Sequence, residues 1–363
     1  MKKTAMTLLA APILITMLMG FISQSSAQPP AGLPALQARV AALEALIMPS
    51  ALVVNCPTDS LAAAVDQAAP GSVITISGRC TEPQVVVSKN GLTIEGATRT
   101  DGLDGKLRII GAQGIVVRNL TVVNFGTAID IREGASATIE DVTANADFNG
   151  SGDDGYAILI TRQAYAQLNR VDASVESGGV NALGMLDGAV ARTQDGRFVS
   201  RSNVSFDNTA IGLFRSCSLR MDGTPIIQNN NTLPPFPTRN KVAIDVLHTS
   251  NFRIQNDIAR IDGNVIIGNN SAARIRRLGS PGVGPGTLNG RVVISGDSNL
   301  AISTRLSATV TGPVEIDDQS FLTANGPLDA INAFVFCNGQ NLDGGVQNPD
   351  ALRVLPVNCS LFP

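Results

Sequence analysis

"VAIDVLHTSN", residues 242–251, reads almost as a second printing of "TAIDIREGAS", residues 127–136. The phrase occurs five times: Ala128-Ile129-Asp130-Ile131, Ala157-Ile158-Leu159-Ile160, Ala182-Leu183-Gly184-Met185, Ala210-Ile211-Gly212-Leu213 and Ala243-Ile244-Asp245-Val246, at spacings of 29, 25, 28 and 33 residues. Eight positions after each alanine a second strand begins, which puts Ala137/Ile139, Ala166/Leu168, Ala191/Thr193, Leu219/Met221 and Phe252/Ile254 in equivalent alternating slots. Alternation with period two marks strands with one buried face. Of the twenty inward slots so defined, counting the second and fourth residues of each phrase, nineteen are apolar and Thr193 is the exception.

Thirteen positions after each alanine stand Asp141, Arg170, Asp195, Gly223 and Asn256, and two earlier partial copies, "GLTIEG" and "GIVVRN", place Gly96 and Asn119 in that slot. Gly, Asn and Asp tolerate the left-handed backbone of a sharp corner. Second-strand copies continue through "SAARI", "SNLAI" and "QSFLT" to about residue 323. Units of two or three short strands and no helix bury their apolar faces only by stacking on one another. The pattern predicts an all-β chain, a single-stranded right-handed parallel β-helix of about ten coils.

Over residues 51–363 the chain resembles the right-handed β-helix superfamily that includes pectate lyases. "DSLAAAVDQAAPGSVITISG", residues 59–78, is similar to the superfamily's usual entry, an N-terminal capping helix over the open end followed by the first strand. The resemblance implies fold and leaves chemistry open, since the superfamily holds lyases, hydrolases, phage tailspikes and binding proteins. Its polygalacturonase-like hydrolases carry Asn-Thr-Asp, Asp-Asp, Gly-His-Gly and Arg-Ile-Lys in order. This chain has Asp153-Asp154 and Arg274-Ile275-Arg276, no Asn-Thr-Asp triplet, and a histidine flanked by Leu247 and Thr249, so no catalytic residue carries over.

Residues 1–27, with Lys2 and Lys3 before an apolar run from Ala5 to Ile22 and a Ser25-Ser26-Ala27 end, read as a signal peptide, so the protein is expected to be secreted or periplasmic. Residues 28–50 form a separate segment in which Leu33, Leu36, Val40, Leu43 and Ile47 follow coiled-coil spacing. Two heptads are marginal alone, so residues 33–47 are either a helix lying on the body or a spacer, or they join copies into a homo-oligomer. Without the two signal lysines, 25 basic residues face 30 acidic ones, and no basic run occurs. Composition therefore argues against nucleic acid as a partner, and no membrane span is expected after signal cleavage. Five cysteines in an exported chain suggest two bridges. Local pairing of Cys56 with Cys80 and of Cys337 with Cys359 is expected among the three connectivities that four cysteines allow, with Cys217 left as a corner thiol.

The frame is constant over fourteen residues of each coil. Length varies only in "VTANADFNGSGDDGY", "VDASVESGGVN", "GRFVSRSNVSFDNT" and "TPIIQNNNTLPPFPTRNKV", all just before the repeated phrase. Loops on a rigid scaffold usually carry function, so the outward face of that strand is the expected binding groove. Five positions after each alanine runs a column of Glu133, Arg162, Asp187, Arg215 and His248. It is either an ion-pair ladder or, in Asp187, Arg215 and His248, an acid, base and guanidinium cluster of the kind a lyase needs beside a uronate. Asp147, Asp153 and Asp154 in "DFNGSGDDGY" supply hard oxygen ligands that suit Ca²⁺, and the resemblance implies calcium where a lyase binds acidic sugar. No other cofactor is called for. With no tryptophan and only Tyr156 and Tyr165 as tyrosines, the chain offers few aromatic platforms for sugar rings. Binding of a polysaccharide or cell-surface glycan by a non-catalytic surface or adhesion module is therefore expected before lyase or glycosidase activity.

Overall fold

A computed structural model describes residues 49–148, 155–177, 180–201, 208–230, 241–258, 260–303, 308–312, 314–317, 320–325, 335–337 and 340–341. Residues 1–48, including the expected signal peptide and the 33–47 seam, lie outside them, as does Cys359.

The body is a parallel β-solenoid in which each coil lays strands beside those of the coils before and after it. One sheet stacks twelve strands, from Ala51–Asn55 and Val73–Ser77 to Phe321–Asn325. Its last ten are the ten aligned second-strand copies, and the first two precede the earliest copy recognised in the sequence. The expected offset is reproduced, because strands begin at Ser136, Tyr165, Val190, Ser218 and Asn251, each eight residues past its alanine. The repeated phrase itself forms Ile129–Arg132, Tyr156–Ile160, Asn181–Leu186, Thr209–Phe214 and Val242–Leu247, paired in parallel in that order.

A third strand per coil lies where the sequence reading placed only variable loop. Thr143–Phe148, Asp172–Ser177, Arg197–Arg201 and Ile226–Asn229 pair in series. They turn Ala144, Ala173, Phe198 and Ile227 into the core. In the four coils just described, length varies mainly in the shorter stretches between this strand and the repeated phrase, whereas a later coil inserts residues 279–285 between Ala272–Leu278 and Gly286–Asn289. One short helix occurs among the described residues, Leu61–Gln67, started by Ser60, whose Oγ accepts from the Ala63 N–H. Its buried Leu61 and Val65 join the hydrophobic core.

The core is a set of columns running along the solenoid. Leu107, Ile129, Ile158, Leu183, Ile211, Ile244, Val265, Val292 and Val314 form one unbroken column, every member buried. Parallel strands about 4.8 Å apart bring identical slots into contact, so the period of the sequence becomes the packing of the core. At one corner the column changes chemistry. Cys217 donates its backbone N–H to Ser250 Oγ, Ser250 to Ser271 Oγ, Ser271 to Ser298 Oγ and Ser298 to Ser320 Oγ, over 3.0–3.2 Å. These buried hydroxyls receive hydrogen bonds from the backbone of the preceding coil, which makes a polar column tolerable inside.

Thr193, the one polar inward slot, is fully buried, and its hydroxyl has no partner among the described residues. The account of register predicts that Leu183→Asp, which places an unpaired charge in the main column, prevents folding. Gln167→Asp, outward on the twelve-stranded sheet beside Arg192, is expected to shift stability by less than about 1 kcal/mol. Thermal melts followed by circular dichroism separate the two.

Candidate functional site

Glu133, Arg162, Asp187, Arg215 and His248 are built by the corner between the repeated phrase and the twelve-stranded sheet. All five adopt left-handed backbone, φ 58°, 53°, 55°, 61° and 56°. The next residue at each corner, Gly134, Gln163, Gly188, Ser216 and Thr249, is left-handed as well. Backbone bonds tie these corners to one another: the N–H groups of Gly134, Gln163, Gly188 and Ser216 donate to the carbonyls of Arg162, Asp187, Arg215 and His248 at 2.8–3.0 Å. The column therefore lies in line on successive coils.

Its side chains bond along the line. Arg162 Nη1 meets Glu133 Oε1 at 2.8 Å, and Arg215 Nη1 meets Asp187 Oδ1 at 3.0 Å, all four exposed. Thr161 Oγ1 donates to the other Asp187 oxygen at 3.5 Å. His248 Nδ1 lies 3.3 Å from Asn269 Nδ2 on the following coil. Asp187, Arg215 and His248 are thus neighbours, as the spacing predicts, arranged as a row of intercoil contacts rather than around a common point.

The outward face of the repeated phrase, expected as the groove, is covered. Tyr156, Leu159, Asn181, Thr209 and Val242 are each less than one-tenth exposed. Gly184 and Gly212 are glycines for a local reason: a Cβ on Gly184 would stand 2.4 Å from the Tyr156 ring, and one on Gly212 2.7 Å from Asn181 Nδ2. The tyrosine and asparagine lie across the glycine backbone. Nearby, Asp130 is fully buried and held by Arg108 Nε at 2.9 Å and Arg132 Nε at 3.0 Å. This paired carboxylate escaped the sequence reading, which saw an outward slot and no partner.

Of the proposed calcium ligands, Asp147 is half-buried and sits opposite Glu176 in the register. Asp153 and Asp154 lie outside the described residues. No group of three His, Cys, Asp or Glu side chains able to hold a metal occurs among the described residues. Cys56 is disulfide-bonded to Cys80. Cys337 ends a short strand, Val335–Cys337, and its expected partner Cys359 is outside the described residues. Cys217 is free and buried, its thiol 3.0 Å from the Phe214 carbonyl. Burial pushes that thiol up from its ordinary value, away from the thiolate a nucleophile needs.

The open surface is on the other side of the corner. The outward residues of the twelve-stranded sheet form a largely polar face with Gln167, Asn169 and Gln194 beside exposed Tyr165 and Val190. Further along come Arg192, Arg220, Arg253 and Arg274.

No family model matches the chain, and no curated protein matches it. Two solved structures are similar: a pectin methylesterase mutant in complex with a hexasaccharide, at 12% identity and a TM-score of 0.31, covering 87% of this chain and 96% of that one; and pectin methylesterase PemA from Erwinia chrysanthemi, at 11% identity and a TM-score of 0.27, covering 86% and 95%. Among the described residues no helix is long and apolar enough to cross a membrane.

The corner column is expected to behave as a surface ladder. His248→Ala and Arg215→Ala should each change stability by less than about 1 kcal/mol, with the effect of Arg215→Ala shrinking in high salt. Melting curves at low and high ionic strength measure this directly.

Proposed function

We propose that this chain is an exported β-helix that binds glycans without transforming them, and that the outer face of the twelve-stranded sheet is its binding surface. One observation carries the reading. That face is partly exposed, and it offers amides, guanidiniums and the ring of Tyr165, 41% exposed, in register on successive strands. Sugars are recognised by such mixtures of planar hydrogen-bonding groups with an aromatic or apolar surface.

Two features favour binding over turnover. Asp187 and Arg215 are engaged with each other, and His248 is turned toward an asparagine of the next coil. A lyase base and its electrophilic partner must converge on one substrate atom, whereas these groups are strung out along a corner. The buried thiol of Cys217 donates to the Phe214 carbonyl of its own corner. The Cys56–Cys80 bridge is compatible with an oxidising compartment, and the expected signal peptide supports export.

The test is incubation of the purified protein with a panel of neutral and acidic polysaccharides, with and without Ca²⁺, scored both for retention on the immobilised polymer and for products. Retention on at least one polymer, with no new reducing ends or unsaturated sugars, is the expected result. Turnover of any member would replace this reading with an enzymatic one, and absence of retention throughout would remove glycan binding.

A further inference from the structure

In the first half of the twelve-stranded sheet, arginines on or just past its strands have acidic partners. Outward Arg118 pairs with Glu95 at 2.6 Å, and Arg170, at the corner after Tyr165–Asn169, pairs with Glu140 and Asp141, each at 2.6 Å. In the second half the pattern breaks. Arg192, Arg220, Arg253 and Arg274 are direct neighbours on four successive strands, with Arg276 two residues beyond Arg274. Asp222 is shared by Arg192 and Arg220, at 2.9 and 3.0 Å. No ion pair links Arg253, Arg274 or Arg276 to an acid among the described residues, and Arg276 instead donates to Gln255 at 3.1 Å. The Arg253 Nε is buried and has no hydrogen-bond partner there.

Four like charges about 4.8 Å apart repel one another. The strain is visible at Arg253, whose guanidinium is held below the usual arginine range by burial and by Arg274, Arg276 and Arg220. A chain with net charge −3 has acidic residues to spare, yet places only Asp222 among these five cations. An external anion would relieve the repulsion.

We propose that Arg192, Arg220, Arg253 and Arg274 form a binding site for a linear glycan carrying an anionic group on successive sugars, laid along the solenoid axis. The inference rests on the glycan-binding reading above and names the site and the charge of its polymer. The four rungs span about 14 Å at the strand spacing, a repeat comparable to one pyranose ring per rung. Each guanidinium presents a planar fork that matches a carboxylate or a sulfate. Tyr165 and Val190, exposed at the end of the row beside Gln167 and Arg192, offer apolar surface to a sugar face. A single-stranded nucleic acid fits less well, since such sites interleave their cations with several aromatic platforms, and here only one tyrosine flanks the row.

The experiment measures binding of the full chain to alginate (carboxylate), dextran sulfate (sulfate), neutral dextran and single-stranded DNA. Arg253→Gln/Arg274→Gln is compared with Arg162→Gln/Arg215→Gln, which removes the same charge from the corner. Binding to alginate or dextran sulfate is expected, weakened by salt and by about tenfold in the Arg253/Arg274 variant, with the corner variant and neutral dextran serving as the unaffected and unbound controls. Whichever polyanion binds identifies the anionic group. If a glycan binds equally to both variants and to the unmodified chain, the arginine site is wrong while glycan binding stands. If no glycan binds, both fall, and if DNA binds as tightly with the same arginine dependence, the assignment to a glycan is overturned.

Discussion

A strand in a parallel solenoid finds partners for its backbone N–H and C=O groups only on the coils before and after it, and this requirement governs the rest of the molecule. Each coil must present its strands in the same frame as its neighbours, or a row of buried donors and acceptors is left unpaired. The invariant eight-residue offset is the signature of that demand. Extra residues enter mostly where the demand lapses, between strands: before the repeated phrase, and at residues 279–285 between Ala272–Leu278 and Gly286–Asn289. Once the frame is fixed, every side chain meets its counterpart one coil away, so chemistry is organised in columns: isoleucine and leucine inside, serine at one corner, paired charges at that corner's surface and arginine on the twelve-stranded sheet.

The corners show how backbone and electrostatics share a position. Two successive left-handed residues turn each coil, and the intercoil bonds from the second of them hold the turn against its conformational cost. Side chains at the first position point outward in a file, where like charges on adjacent coils would repel. Alternation of Glu133, Arg162, Asp187 and Arg215 removes that repulsion. The arginine file on the sheet lacks this alternation, which is why the two charged columns receive opposite readings, one self-satisfied and the other turned toward a partner. Asp222 is the acid that the file does contain, shared by Arg192 and Arg220. Burial works against its ionisation, yet hydrogen bonds from Arg220 and Arg192 hold its carboxyl below the ordinary carboxylate range.

Much of the fold was legible because its cause is periodic. The inward columns, the strand starts and the left-handed corners at Asn119, Asp141, Arg170, Asp195 and Gly223 follow from slots counted along the chain, and the bridge of Cys56 to Cys80 agrees with the local pairing expected among three possible connectivities. Gly96 and Asn256 share the corner slot without the left-handed backbone. Asn256 lies inside a longer strand, Asn251–Ile258, where the register shifts. The third strand was missed because several of its inward residues are small or polar, as in Ala144, Ala146, Ser200 and Asn229, and weaken the alternation; the repeated Val-x-Ala at the entry to two of its copies was the available signal. Burial of the phrase's outward face was hidden because it depends on where Tyr156 and Asn181 fall, which no periodicity states. The arginine row was invisible to composition, its members standing 28, 33 and 21 residues apart and becoming adjacent only through the coil frame.

The register is tested most directly by cross-linking. Thr138 and Gln167 face each other on adjacent strands of the twelve-stranded sheet, and at about 4.8 Å their Cα atoms lie within disulfide range. Under mild oxidation, a chain carrying Thr138→Cys and Gln167→Cys should yield a bridged peptide joining the two sites, and one carrying Thr138→Cys and Asn169→Cys should yield far less. A preference for Asn169 would contradict the register on which every column rests, and failure of both pairs would contradict the stacking of these coils.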